Sequence, residues 1–147
     1  MAEEQAPQLP EAMVTEIRAL ATESFNYWKE NSTEAQRAVG MEDMAKYEND
    51  PAFVEQEMTM MQTTFDAQSP VDGRLDKTKF VAWSKALKVA SKARGNFEDE
   101  RDSEAEKAYV CLNKITPDAD GVSMDDFNAC MGTWMEIFGE LKTAAGM

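Results

Sequence analysis

The sequence predicts an all-α fold in which two helix–loop–helix units follow an N-terminal helical region. Long runs rich in Ala, Glu, Lys, Met and Leu fill the 147 residues, whereas glycine and proline number only 7 and 5. Such runs favour helices over many short strands, and apolar residues recur within them at helical spacing. Two Asp-Gly turns, Asp72-Gly73 and Asp120-Gly121, interrupt the runs.

The N-terminal part is expected to contain two helices. Residues 1–9 lack helical periodicity, so we expect a flexible tail there. Pro10 suits the first turn of a helix, and the polar cluster at residues 31–33 interrupts that helix and can cap a shorter one that runs toward Tyr47. We therefore assign residues 10–50 to N-terminal helices.

The first helix–loop–helix unit is expected at residues 51–93. Asp50 followed by Pro51 is a strong helix-start signal, because the carboxylate caps the helix and proline fits its first position. After a break at residues 69–73, Asp76 offers a cap for the second helix of the unit.

The second unit is expected at residues 98–142. The charged stretch that starts at Glu98 is predicted to begin a helix, and residues 116–121 break it. Ser123 with Asp126 three residues later resembles a capping box, so a last helix should start there.

The two units look like an internal duplication. Equivalent features stand 47 residues apart: an apolar residue before an Asp or Asn, an apolar residue after the Asp-Gly pair, and an aromatic at the start of the following helix. The matched pairs are Phe65 with Leu112, Leu75 with Val122, and Phe80 with Phe127. A weaker third copy is centred on Val39 and lacks the Asp-Gly pair.

The segments FDAQSPVDGRLDKTKF (65–80) and LNKITPDADGVSMDDF (112–127) resemble EF-hand loops, as in calmodulin, myosin light chains and sarcoplasmic calcium-binding proteins. The family pattern is a twelve-residue loop with oxygen ligands at alternating positions, glycine at the sixth and glutamate at the twelfth. The resemblance implies that Leu75 and Val122 pair in a short β-ladder. It covers residues 51–142 and extends only weakly over residues 11–50, so residues 10–50 are a candidate for a vestigial hand, with plain N-terminal helices as the alternative.

The first loop departs far from this pattern. With Gly73 at the sixth position, Gln68 is first, Pro70 third and Lys79 twelfth. The Lys79 ammonium repels a cation where two carboxylate oxygens are needed. A fourteen-residue loop that starts at Asp66 also ends at Lys79, so we expect this loop not to bind calcium.

The second loop keeps more oxygen ligands. The candidate metal ligands are Asp118, Asp120, Ser123 and Asp126. With Thr116 first, one residue is missing between Gly121 and Val122; alternatively, a fourteen-residue loop spans residues 113–126. The resemblance implies at most one weak site, for Ca²⁺ or for the smaller Mg²⁺, because an aspartate ends the loop.

The sequence is compatible with three functions. The first is a calcium-independent binding module that clasps a basic amphipathic helix of a partner protein, with methionines as adaptable contacts. Met60 and Met135 are the candidate contacts, because both lie off the main apolar stripes of their helices. The second is a calcium sensor or buffer that uses residues 113–126. The third is a small-ligand carrier, which would need an internal cavity with few polar groups.

Charge and composition argue against other classes. A net charge of −13 disfavours nucleic acid. There is no histidine, the usual general base and zinc ligand, and we expect no enzymatic activity. Cys111 and Cys130 suit a reduced compartment. The acidic N-terminus is unlike a signal peptide, and no apolar run has the length of a membrane span. We therefore expect a cytoplasmic protein.

Overall fold

The computed structural model describes residues 9–115 and 119–147 and confirms the all-α class. Within that part of the chain there are six helices and one two-stranded ladder. The helices are α1 (Glu11–Asn31), α2 (Glu34–Asn49), α3 (Pro51–Asp66), α4 (Lys77–Ala93), α5 (Asp102–Leu112) and α6 (Met124–Ala144). The strands are β1 (Arg74–Leu75) and β2 (Val122–Ser123). The predicted tail lies, apart from Leu9, outside the described residues.

Side-chain caps start four of these helices. Thr33 forms a capping box with Gln36 at the start of α2, and Asp50 caps α3, which has proline at its first turn. Asp76 caps α4. The predicted capping box at the start of α6 is present, with Ser123 Oγ accepting from the Asp126 amide over 3.1 Å. Each cap satisfies an amide that the helix itself leaves unpaired.

The start of α5 differs from the prediction. The charged stretch was expected to be helical from Glu98, but α5 begins at Asp102. The reason is that the Asp99 carboxylate accepts the backbone amide of Arg101 at 2.9 Å and the Arg101 guanidinium as well. These hydrogen bonds hold Arg101 in an extended conformation, so α5 begins at the next residue, Asp102.

The two loops meet in the predicted pairing of Leu75 with Val122. The strands are antiparallel, and neither of these two side chains is exposed. Gly121 makes the close approach possible: its φ is +96°, and a Cβ there would lie 2.7 Å from the Leu75 carbonyl oxygen. Only glycine combines this backbone angle with this spacing.

Helix α1 packs on α5 and α6, and α2 packs on α3. The buried face of α1 consists of Met13, Ile17, Ala21, Phe25 and Trp28. Trp83 of α4 is fully buried at the centre of the molecule, where its indole nitrogen donates to the Thr64 hydroxyl over 3.0 Å. Trp134 is only half-buried against the same core. We call the set α3, β1, α4, α5, β2 and α6 the paired unit.

The N-terminal pair α1–α2 is built differently from the paired unit. Only Ser32 and Thr33 separate the two helices. Val39, which aligns with Leu75 and Val122, lies inside α2 rather than in a strand. No helix of the described chain is both long and apolar enough to cross a bilayer.

Candidate functional site

The first loop is a tight turn closed by a lysine. Asp72 and Gly73 have φ angles of 52° and 75°, and Val71 and Arg74 exchange both backbone hydrogen bonds, at 2.9 and 3.0 Å. Positive φ at both central residues is typical of a type I′ turn, which favours Asp-Gly. Lys79, at the end of this loop, donates from Nζ to the Ser69 carbonyl over 2.7 Å. The Lys79 ammonium therefore forms a hydrogen bond within the first loop.

Arg74, which belongs to the first loop, donates hydrogen bonds to two oxygens of the second loop near its Asp-Gly turn. Its Nη1 lies 2.8 Å from Asp126 Oδ2 and 3.0 Å from the Gly121 carbonyl oxygen. The Asn113 side chain accepts the Gly121 amide over 2.8 Å, which closes the loop from its other end. The guanidinium thus links the first loop to the second.

The structure describes three of the four candidate metal ligands. Asp118 lies outside the described residues, and Asp120 is exposed. Ser123 and Asp126 form the capping box of α6. Among the described residues, no group of three or more acidic, cysteine or histidine side chains is placed to hold an ion.

A cavity of about 700 Å³ lies between α1–α2 and the paired unit. It is partly open to solvent, and most of its wall is apolar. The wall includes the apolar side chains of Trp28, Met44, Leu87, Met131, Trp134 and Phe138. Met60 and Met135, the predicted partner contacts, are both half-buried and line this cavity as well.

One polar part of the wall is centred on Arg94. Its guanidinium contacts Glu57 Oε1 at 2.8 Å and Asp43 Oδ2 at 3.1 Å. Both carboxylates belong to buried residues, and the arginine supplies their counter-charge. Tyr47 lies beside this group. Burial, reinforced by the negative charge of Glu57, raises the pKa of Tyr47 to about 12.

A second polar part of the wall surrounds Lys88. Its ammonium donates to the Asp99 backbone carbonyl and lies 3.8 Å from the Glu104 carboxylate. Burial raises the pKa of Glu104 to about 7, opposed by Lys88 and reinforced by Asp99. Burial also raises the pKa of Glu98, although a hydrogen bond from Ser91 and the charge of Lys88 oppose this shift.

Asp99 is paired with Arg101 rather than with the lysine. The guanidinium contacts both carboxylate oxygens, with Nε 2.9 Å from Oδ1 and Nη2 2.7 Å from Oδ2. Burial acts to raise the pKa of Asp99, but the hydrogen bonds from Arg101 outweigh it and hold the pKa at about 2. Asp99 is therefore an ionised, fully engaged carboxylate at neutral pH.

Residues 94–101, which we call the strap, run from α4 to α5 and form part of the cavity wall. The Phe97 ring packs on Tyr27 with 5.8 Å between centroids, and the Arg101 guanidinium stacks on the same tyrosine at 3.7 Å. Gly40 of α2 allows the close approach of Asn96, because a Cβ would lie 3.0 Å from the Asn96 side-chain oxygen. The strap therefore joins α1–α2 to the paired unit across the cavity.

Sequence reasoning missed both the cavity and the strap. The one local signal was Phe97, an isolated aromatic residue directly before the charged stretch that was predicted to be helical from Glu98. The acids of the polar wall resembled ordinary solvated charges. Cys111 and Cys130, free and buried, also line the cavity; burial raises the pKa of the Cys111 thiol to about 11 and that of Cys130 to about 12.

No protein-family model, curated protein or solved structure gave a match to this chain.

Proposed function

We propose that this chain is an EF-hand-type protein that binds a small, largely apolar ligand in the cavity between α1–α2 and the paired unit. The observation that carries the proposal is the cavity itself. Its volume of about 700 Å³ falls within the range of about 300–1,000 Å³ that is usual for small-molecule sites. Its wall combines apolar side chains with a few localised polar groups, the arrangement that binds and orients such ligands.

The position of α1 supports a small ligand over a partner helix. The apolar face that the paired unit would offer to a partner is covered by α1 of the same chain, through Ile17, Ala21 and Phe25 among others. A partner helix would have to displace these buried side chains, at a cost of about 1.5–3 kcal/mol for each large one. A small molecule needs no such displacement.

The loop contacts support ligand binding that does not depend on calcium. Lys79 and Arg74 already donate to oxygens of the two loops. A calcium ion would have to displace the Lys79 ammonium and the Arg74 guanidinium, which belong to the chain itself and are present at every calcium concentration. A sensor or buffer that uses residues 113–126 is accordingly less well supported. The proposed role is binding rather than catalysis.

Binding of the uncharged fluorescent dye N-phenyl-1-naphthylamine tests the proposal. We expect saturable binding by the wild type, and loss of binding when the cavity is filled by Gly132→Leu. Gly132 lines the cavity, and a Cβ there meets no atom within 4 Å, so the larger side chain enters open space. The matched control is Gly139→Leu in the same helix, which has equal room but does not line the cavity.

Both substitutions should raise helix stability by about 0.8–1 kcal/mol, so loss of folding does not confuse the comparison. Equal dye binding by the two variants would show that the dye binds elsewhere, and absence of binding by the wild type would remove the carrier proposal.

The second candidate is the binding module for a basic amphipathic helix. The observation in its favour is Met58, which is 38% exposed and lines the cavity, on a chain with a net charge of −13. An amphipathic peptide of leucine and lysine should then displace the dye at micromolar concentration. Displacement by the peptide but not by small apolar competitors would favour this candidate over the carrier.

A further inference from the structure

The carboxyl groups of the cavity outnumber its cations. Of the residues in 9–115 and 119–147, five acidic ones line it, and only Lys88 and Arg94 among the lining residues carry positive charge. The five acids are Asp43, Glu57, Glu98, Asp99 and Glu104. Burying ionised groups is costly unless each has a counter-charge. The charge that a bound ligand is expected to carry therefore depends on which of these acids already have a cation as partner.

Three of the five acids are already paired. Arg94 binds Asp43 and Glu57 at once, and Arg101, which is not one of the lining residues, binds both oxygens of Asp99. These guanidinium groups have fixed, directional contacts, and they are not available to a ligand.

Glu98 and Glu104 share one ammonium, and Glu104, when protonated, also forms a side-chain hydrogen bond with Asp99. Lys88 is 3.8 Å from the Glu104 carboxylate, beyond hydrogen-bond distance, and one of its protons is donated to the Asp99 carbonyl. Glu98 has the neutral hydroxyl of Ser91 as a hydrogen-bond partner. The wall around Lys88 therefore has a surplus carboxylate when both glutamates are ionised.

We infer that the cavity takes an amphiphilic ligand with an apolar body and a protonated nitrogen, which the Glu98 and Glu104 carboxylates bind. This inference rests on the proposed function, because it specifies the ligand of the same cavity. A cationic nitrogen supplies the counter-charge that the wall lacks, in surroundings where a charge-assisted hydrogen bond is strong. An anionic head group, such as that of a fatty acid, adds repulsion at the same place.

The aromatic side chains of the cavity suit the same head group. Tyr27, Trp28 and Phe97 line the cavity on the side of α1 and the strap, and Arg101 already stacks on Tyr27 at 3.7 Å. Ring faces attract alkylammonium groups as they attract guanidinium, so the rings add to the preference for a cation.

The test compares three ligands with one apolar chain and different head groups. Dodecylamine, dodecanol and dodecanoate are used to displace N-phenyl-1-naphthylamine at pH 7.5, below their micellar concentrations and in about 0.15 M salt to screen surface charge. We expect dodecylamine to displace the dye at a concentration about tenfold lower than dodecanoate, with dodecanol between them.

The double variant Glu98→Gln with Glu104→Gln should bring the three compounds to within about twofold of one another, leaving dodecanol unchanged. Glu55→Gln is the control for a general loss of negative charge, because Glu55 is exposed and lies outside the cavity wall; it should keep the wild-type order. Circular dichroism of each variant checks folding.

The outcomes separate the two proposals. Equal displacement by the three compounds, or strongest displacement by dodecanoate, would overturn the assigned ligand class and leave the carrier function standing. A dodecylamine preference that Glu55→Gln removes as fully as the double variant does would overturn it too, because the preference would then come from the surface. Failure of the dye to bind at all overturns the carrier function itself.

Discussion

The guanidinium of Arg74 in the first loop lies 2.8 Å from the Asp126 carboxylate in the second loop. The side chains of these residues are 20% and 7% exposed, so this is a largely buried ion pair. Arg74 also pairs with Ser123 across the two-stranded ladder. The Arg74 side chain therefore links the turn of the first loop to the first turn of α6.

Replacement of Arg74 by glutamine should destabilise the fold. Gln is too short and too weakly polar to replace the charge-assisted bond to Asp126 and the bond to the Gly121 carbonyl. We expect the free energy of unfolding in urea to fall by about 2 kcal/mol. Arg18→Gln is the control, since it breaks an exposed pair with Glu140 and should cost at most about 0.5 kcal/mol. Equal losses for both variants would contradict the structural role of Arg74.

Calcium should leave the protein unchanged. The oxygens of Gly121 and Asp126 are occupied by Arg74, and a Lys79 ammonium stands at the end of the first loop. We expect the amide resonances of Gly73 and Gly121 to keep their positions when metal-stripped protein is titrated with Ca²⁺ and then Mg²⁺ to millimolar concentration. A saturable micromolar shift at Gly121 that spreads into α5 and α6 would instead establish a sensor or buffer.

Gly121→Ala should be strongly destabilising. An alanine would combine an unfavourable φ of +96° with a Cβ only 2.7 Å from the Leu75 carbonyl oxygen. We expect a loss of about 2–4 kcal/mol in the free energy of unfolding. Gly139→Ala, in the interior of α6 with open space around it, should gain up to about 1 kcal/mol. A loss below about 0.5 kcal/mol at Gly121 would mean that the two strands are not held this closely.

Glu104 should make stability depend on pH near neutrality. Burial raises its pKa in the folded protein from the ordinary 4.5 to about 7, so the folded state holds a proton that the unfolded state has released. The stabilising effect of that proton is complete below about pH 4.5 and is lost as the pH rises through about 7. Glu104→Gln stays neutral, and its stability relative to wild type should rise by about 1–2 kcal/mol between pH 5 and pH 8.

The pH effect is measured by urea denaturation of both proteins at several pH values. Glu106→Gln, on the exposed side of the same helix, controls for the removal of one negative charge. A constant difference between Glu104→Gln and wild type across this range would contradict the burial of a partly protonated carboxyl.

The sequence predicted the helical class, most helix starts and the contact between the loops. The caps at Asp50, Asp76 and Ser123 act within one turn, so their effect is visible in a few neighbouring residues. The pairing of Leu75 with Val122 was predictable because an apolar residue follows the Asp-Gly turn in both units. The start of α5 was misjudged, because a bond between Asp99 and Arg101 competes with helix formation over residues 98–101.

The sequence by itself therefore determined most of what depends on near neighbours and on the period of apolar residues: where five of the six described helices begin, and which face of most of them is buried. The tertiary structure decided the rest. Whether Met60 and Met135 face a partner or a cavity, and whether Glu104 is solvated or buried, depends on how α1 and the strap lie against the paired unit. Those contacts join residues far apart in the chain, such as Arg94 with Asp43, and local propensity does not specify them.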